Sequence, residues 1–208
     1  IKEMNIADMR ILGRLFVNWR ENDVHNLIYC QQNTNLFQKS EQFRILKENF
    51  RNNGQYEDED AAYLEFRRCE SKANLEDALL KDKKNALWAF PMYYFQKYVF
   101  DYVGRYATAP TRVLSNAILT VFVYGFIYYF FTNFFPAVGW VSTTLPDNLN
   151  HAADFWNSIY YSSITFFTIG YGDYFGGGCI KLIAACEGFT RVFLMSYFTV
   201  AFVRKILR

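Results

Sequence analysis

The second half of this 208-residue chain is short of charge. Residues 113–135 carry none, and no Lys or Arg occurs between Val113 and Ile180. Of 22 basic and 20 acidic residues, only 5 and 4 fall in residues 113–208. The net charge is only +2, so the clear basic excess of a nucleic-acid binder is missing. Chemistry-bearing residues are sparse as well. Cys30, Cys69, Cys179 and Cys186 show no metal-ligand spacing, and His25 and His151 are isolated. There is no nucleophile–base pair and no phosphate loop, so the sequence makes no case for an enzyme. Composition also excludes disordered, collagen-like and disulfide-scaffold classes. What the chain has in excess is aromatic rings: 22 Phe, 16 Tyr and 4 Trp, or 20% of all residues. Amphipathic rings in such number suit a protein that meets a membrane interface. A mean hydropathy of -0.07 averages two unlike halves.

The uncharged run 113–135 would extend about 35 Å as a helix, enough for a hydrocarbon core of about 30 Å. It cannot be a signal peptide so far into the chain. A second span is predicted at 180–203. Lys181 can snorkel at its start. Glu187 and Arg191, spaced i,i+4 with the acid first, are expected to neutralise each other. Between the two, the apolar stretch Phe155–Ile169 would make a helix of about 22 Å, too short to cross. It reads as a re-entrant helix. Lys97, Arg105 and Arg112 precede the first span, and Arg204, Lys205 and Arg208 follow the last. The intervening loop carries Asp147, Asp154 and Asp173 instead. By the positive-inside rule both termini are cytoplasmic, in a multi-pass protein of the inner or plasma membrane. Cys30 and Cys69 are then expected to be reduced.

Residues 1–86 read as a cytoplasmic helical domain. Leu36, Phe43, Leu46 and Phe50 recur at helical spacing, with Ser40 as a start signal and Asn52-Asn53-Gly54 as a stop. A second helix is predicted from Tyr56. Its first turn holds Glu57, Asp58, Glu59 and Asp60, where the helix dipole favours anions over a metal-site reading. Tyr63, Phe66, Cys69 and Ala73 form its inward stripe. The pair resembles a tetratricopeptide hairpin without that motif's full pattern. Asn5-Ile6-Ala7-Asp8-Met9 resembles one rung of a pentapeptide repeat, which implies the end of a solenoid at 1–20. Residues 87–110 read as an interfacial helix and linker, with Gly104 ending the helix and Pro110 opening the span. The alternative for 87–103 is the closing helix of the soluble domain.

Residues 165–173 read Thr165-Phe166-Phe167-Thr168-Ile169-Gly170-Tyr171-Gly172-Asp173. The segment fits the pattern TxxTxGYGD throughout and resembles the selectivity filter of two-transmembrane pore-loop potassium channels. Its setting is similar too: span, short helix, filter, span, over residues 111–208. The resemblance implies an all-α membrane fold and a homotetramer, because one chain offers one filter strand. It implies potassium ions bound by the carbonyls of Thr168, Ile169, Gly170 and Tyr171, with the Thr168 hydroxyl innermost. Glycine at 170 and 172 permits the backbone angles that such a strand needs. Thr165, Tyr161 and Asp173 would support the filter, and Tyr171 would point towards Tyr160 and Tyr161 of its own or a neighbouring chain. Many relatives carry tryptophan where Tyr161 stands, and some a glutamate where Ile164 stands.

For gating, the resemblance points to Glu187, where relatives place a glycine four residues on and this chain has Arg191. Gly188 is then the available hinge, unless it serves close packing. Phe198 and Phe202, with Phe193 and Tyr197, are candidates for a hydrophobic constriction. Gly176-Gly177-Gly178 reads as a flexible linker. The function so implied is passive potassium conduction by a membrane-embedded homotetramer, assembled or regulated through the N-terminal domain. Partners are lipid and a possible unknown cytoplasmic ligand. Two rivals stand beside it: a non-conducting membrane scaffold, favoured by Arg191, and a potassium-uptake transporter pore, disfavoured by the intact GYG.

Overall fold

A computed structural model describes residues 5, 6, 9, 13–81, 83–144 and 154–207, and no side chain at 83–86. Ala7 and Asp8 of the pentapeptide-like rung, Asp147 and His151 lie outside the described residues. The fold is mostly helical and divides into two units. One comprises Ile1–Ala109 with Arg204–Arg208, the other Pro110–Val203.

The first unit is built on the hairpin of α2 (Leu36–Asn52) and α3 (Tyr56–Lys81), with the short α1 (Val24–Tyr29) against it. Val24, Ile28, Phe43, Leu46, Phe50, Ala62 and Cys69 make its core. α2 begins one turn before Ser40. Asn35 is the cap, in a reciprocal capping box with Gln38. The Asn35 side chain accepts from the Gln38 amide, and the Gln38 side chain accepts from the Asn35 amide, so orphan N–H groups are satisfied. Asn53 and Gly54, the latter at φ 75°, end α2. α3 starts at Tyr56 with Glu57, Asp58 and Glu59 in its first turn. Buried Gln42 meets Gln31 amide to amide, at 2.8 and 3.0 Å. The segment before α1 is tied to the hairpin turn through Leu15, whose carbonyl accepts from Asn49 and Asn53.

Residues 87–103 are not one uniform helix. α4 (Lys83–Phe95) contains Pro91 and passes into a π-helical segment, Gln96–Tyr102. The wider turn there follows a proline that can donate no hydrogen bond. Arg68 of α3 holds Asp101 of this segment with two hydrogen bonds of 2.8 Å. The chain then turns through Arg105, Tyr106 and Ala107, all at positive φ.

The second unit holds α5 (Pro110–Phe134), β1 (Gly139–Thr143), α6 (Phe155–Phe166), β2 (Tyr174–Gly178) and α7 (Ile180–Ile206), whose last residues count with the first unit. α5 and α7 are long and apolar enough to cross a membrane. Only 28% and 22% of their most apolar windows are buried, unlike the core helices of a soluble protein. Polar side chains within them bond back to their own helix. Thr120 donates to the Asn116 carbonyl at 2.8 Å, and Thr190 to Cys186 at 2.9 Å. Such bonds keep hydroxyls satisfied where water is absent. α6 packs on α5 at Gly125, where an added Cβ would lie 2.9 Å from the Ile159 Cα. Tyr128, Val141, Tyr161, Ile164, Tyr174 and Ile180 form the core of this unit.

The two-stranded sheet is an addition to the expected helices. β1 and β2 pair antiparallel from Gly139 opposite Gly178 to Thr143 opposite Tyr174. Gly176–Gly178 is therefore a paired strand rather than a flexible linker. The glycines are there for contact: a Cβ at Gly177 would lie 2.4 Å from the Trp140 ring.

Candidate ion pathway

The segment that resembles a filter continues from the end of α6. The short helix ends at Phe166, inside the apolar stretch Phe155–Ile169, and two residues later Thr168 takes φ 53°. Gly170 and Gly172 follow at φ 53° and 80°. Left-handed backbone thus recurs at every second residue, and Thr168 adopts it without being glycine. An ordinary strand alternates its carbonyls between two sides. Alternating the hand of the backbone cancels that alternation.

The N–H groups of the segment fold back onto the end of α6. Thr168 donates to the Thr165 carbonyl at 3.1 Å, and Ile169 and Gly170 donate to Ile164 at 2.9 and 3.3 Å. Among the described residues, nothing donates to the carbonyls of Thr168, Ile169, Gly170 or Tyr171. Buried backbone carbonyls are rarely left unpaired. Here a consecutive run is unpaired on an exposed face of the single chain. The Thr168 hydroxyl donates to the Phe167 carbonyl at 2.7 Å.

The supports differ in part from the expectation. Tyr160 donates to the Asp173 carboxylate at 2.8 Å and its ring lies edge-on to Tyr174. Tyr161 is buried, edge-on to Tyr128 at 4.9 Å. Its hydroxyl end faces β2, close enough that a Cβ on Gly176 would lie 2.8 Å away. Tyr171 is 71% exposed, so its own chain does not cover it. Two residues that the sequence did not single out hold the far end. Thr143 Oγ1 and the Thr144 amide both donate to the Asp173 carbonyl, at 2.8 and 2.9 Å. The signal for them was the run Gly139–Thr143, with Trp140 facing a glycine triplet across a possible strand pair.

In α7 the expected Glu187–Arg191 pair does not form. Glu187 is fully buried and accepts from Tyr128 Oη of α5 at 2.5 Å and from Ser162 Oγ of α6. Ser162 also contacts the Val121 carbonyl at 3.0 Å. The carboxylate points into the three-helix contact, where two hydroxyls meet it, instead of along its own helix. Arg191 is half-buried on the same stripe as Glu187 and Leu194, and its buried Nε finds no acceptor among the described residues. α7 runs without interruption through Gly188. A Cβ there would meet nothing within 4 Å among the described residues of the single chain. Phe198 and Phe202 stack at 5.6 Å, and Phe193 lies 5.9 Å from Tyr197.

Two membrane-length helices, a short helix between them that is too short to cross, and a run of unpaired carbonyls at its end define a pore-loop membrane protein. The family model described as an ion channel matches residues 116–208. Searches of curated proteins and of solved structures each returned no match.

Proposed function

We propose that the chain is the subunit of a potassium-selective channel that assembles as a homotetramer, with both termini cytoplasmic. The observation that carries this reading is the unpaired run of carbonyls from Thr168 to Tyr171 within an intact TxxTxGYGD segment. A potassium ion entering a pore must replace its water shell, and rings of backbone oxygens supply that coordination. One strand gives one oxygen per ring, and four copies around an axis close each ring. The C-terminal end of α6 places its partial negative charge at the start of this segment, which favours a cation there. Leu182, Phe189, Val192 and Val200 are exposed along one side of α7 in the single chain. A face so apolar is compatible with lipid or a neighbouring subunit. Trp88, Met92, Phe95, Tyr98 and Tyr102, exposed on α4 and the π-helical segment, fit the interfacial reading of 87–103.

Purified protein in liposomes tests the reading directly. Under a bi-ionic potassium/sodium gradient the reversal potential should lie far from zero, on the potassium side. A reversal near zero would end the potassium assignment, and no flux at all would favour the non-conducting scaffold. Barium should block, since it is close to potassium in size but carries twice the charge and leaves the site slowly.

The N-terminal domain is proposed to act on the end of α7. Arg204 donates to Asp60 of α3 at 3.2 Å and lies over the Tyr63 ring at 4.1 Å, and Lys205 stands 3.7 Å from the same carboxylate. Asp60→Asn removes the charge that both cations share. It should change steady potassium flux by about threefold, the scale of one partly exposed ion pair, and leave the reversal potential where it was. A shifted reversal potential would mean that the contact shapes the filter, and an unchanged flux would remove the coupling.

A further inference from the structure

We propose that β1 is a clamp on the exit end of the filter, with Thr143 and Thr144 as positioning residues that keep the last carbonyls aimed at the ion. The inference rests on the potassium-filter reading above.

The clamp begins where the free carbonyls end. Tyr171 has the last of them. The next carbonyl, on Gly172, lies 3.5 Å from Thr144 Oγ1, and the one after, on Asp173, takes both the Thr143 hydroxyl and the Thr144 amide. That second carbonyl is fixed by a side chain at the end of β1 and by the main-chain donor of the residue that follows it. The strand is itself held at several places. Its ladder with β2 runs up to Thr143 opposite Tyr174, the residue after Asp173. Trp140 lies across Gly177 so closely that a Cβ would fall 2.4 Å from the ring. Val141 donates to Thr132 of α5 at 3.1 Å, and Val138 accepts from Cys179, just before α7, at 2.9 Å. β1 therefore ties the filter exit to both long helices.

The need for such a tie follows from the residues around it. Gly172 sits at φ 80°, and no atom lies within 4 Å of where a Cβ would be. No neighbouring atom fills the space that a side chain would take there. Position 164 is isoleucine, so no carboxyl reaches Asp173 from that side. When potassium is plentiful, the ion holds the carbonyls inward. When it is scarce, like-oriented carbonyls repel one another, and the outermost peptide is the one free to rotate. The two donors to Asp173 oppose that rotation.

The test uses the full chain in liposomes or planar bilayers, with three proteins: wild type, Thr143→Val and Thr143→Ser. Valine keeps the shape and loses the donor, and serine keeps the donor. Thr143→Val should lose potassium current about fivefold faster than wild type at low external potassium, the scale of one hydrogen bond. The difference should vanish at high external potassium, with tetramer stability and reversal potential unchanged there. Thr143→Ser should behave as wild type. Equal decay of valine and wild type at low potassium would overturn the clamp. So would acceleration that ignores external potassium, which signals general destabilisation. If the valine protein does not assemble, Trp140→Leu loosens β1 without touching Asp173. It must show the same potassium-dependent decay, and wild-type decay there would overturn the clamp as well. A wild-type reversal potential near zero is a separate reading and would overturn the potassium filter, and the clamp with it.

Discussion

Gly172→Ala protein should assemble normally and fail to select potassium. The residue sits at φ 80°, in the left-handed region that an L side chain resists. No heavy atom stands within 4 Å of the added Cβ, so the defect is not a clash within the subunit. The strain is about 1–2 kcal/mol per residue. In the proposed homotetramer symmetry repeats it in every subunit, so the assembly would carry about 4–8 kcal/mol. The cheapest relief is rotation of the neighbouring peptides, which carries a carbonyl off the axis. A site that has lost oxygens no longer repays the dehydration of potassium. Selectivity should therefore collapse, or flux should stop, while size-exclusion and cross-linking still report the wild-type oligomer. An alanine protein with wild-type reversal potential would mean that the carbonyls of this segment do not coordinate the ion.

Removal of Glu187 should have the largest effect on stability. Its carboxylate serves Tyr128 and Ser162, and all three groups are fully buried. Glu187→Leu leaves two buried hydroxyls without that acceptor, at about 1–3 kcal/mol each. Glu187→Gln should be milder, because an amide can accept from Tyr128 and donate to Ser162. The contact joins α5, α6 and α7, so the loss should appear as a lower thermal midpoint of the assembled protein. A double-mutant cycle separates the partners. Glu187→Leu with Tyr128→Phe should show coupling of about 1–2 kcal/mol, and Glu187→Leu with Arg191→Gln close to none. Stronger coupling to Arg191 than to Tyr128 would restore the intrahelical pair and contradict the contact described here.

These two residues show how far the sequence reaches. Gly172 was legible because its role is local. A nine-residue pattern fixes which positions take left-handed backbone, and no distant atom is needed to read it. Thr168 extends the same rule to a residue where propensity would not predict it. The turn at its φ is carried by hydrogen bonds back to Ile164 and Thr165. Glu187 was misread because i,i+4 spacing names only the neighbour on the same helix. The competing hydroxyls stand 59 and 25 residues away in the chain. A buried carboxylate takes the donors that the packing brings it, whatever its own helix offers.

The outer strands mark the same boundary. By itself the sequence determined the two apolar spans, the short helix between them and the TxxTxGYGD segment after it, because charge depletion, length and a contiguous motif are one-dimensional. It determined the α2–α3 hairpin as well, through apolar periodicity and the Asn53-Gly54 stop. Only the tertiary structure decided that Gly176–Gly178 is a strand, since glycine has little strand propensity and the reason for it is the Trp140 ring across the ladder. Only the tertiary structure placed Thr143 and Thr144 on the Asp173 carbonyl, 29 or 30 residues along the chain. A hydrogen bond across that separation follows from register, and register is set by pairing partners that no local pattern names.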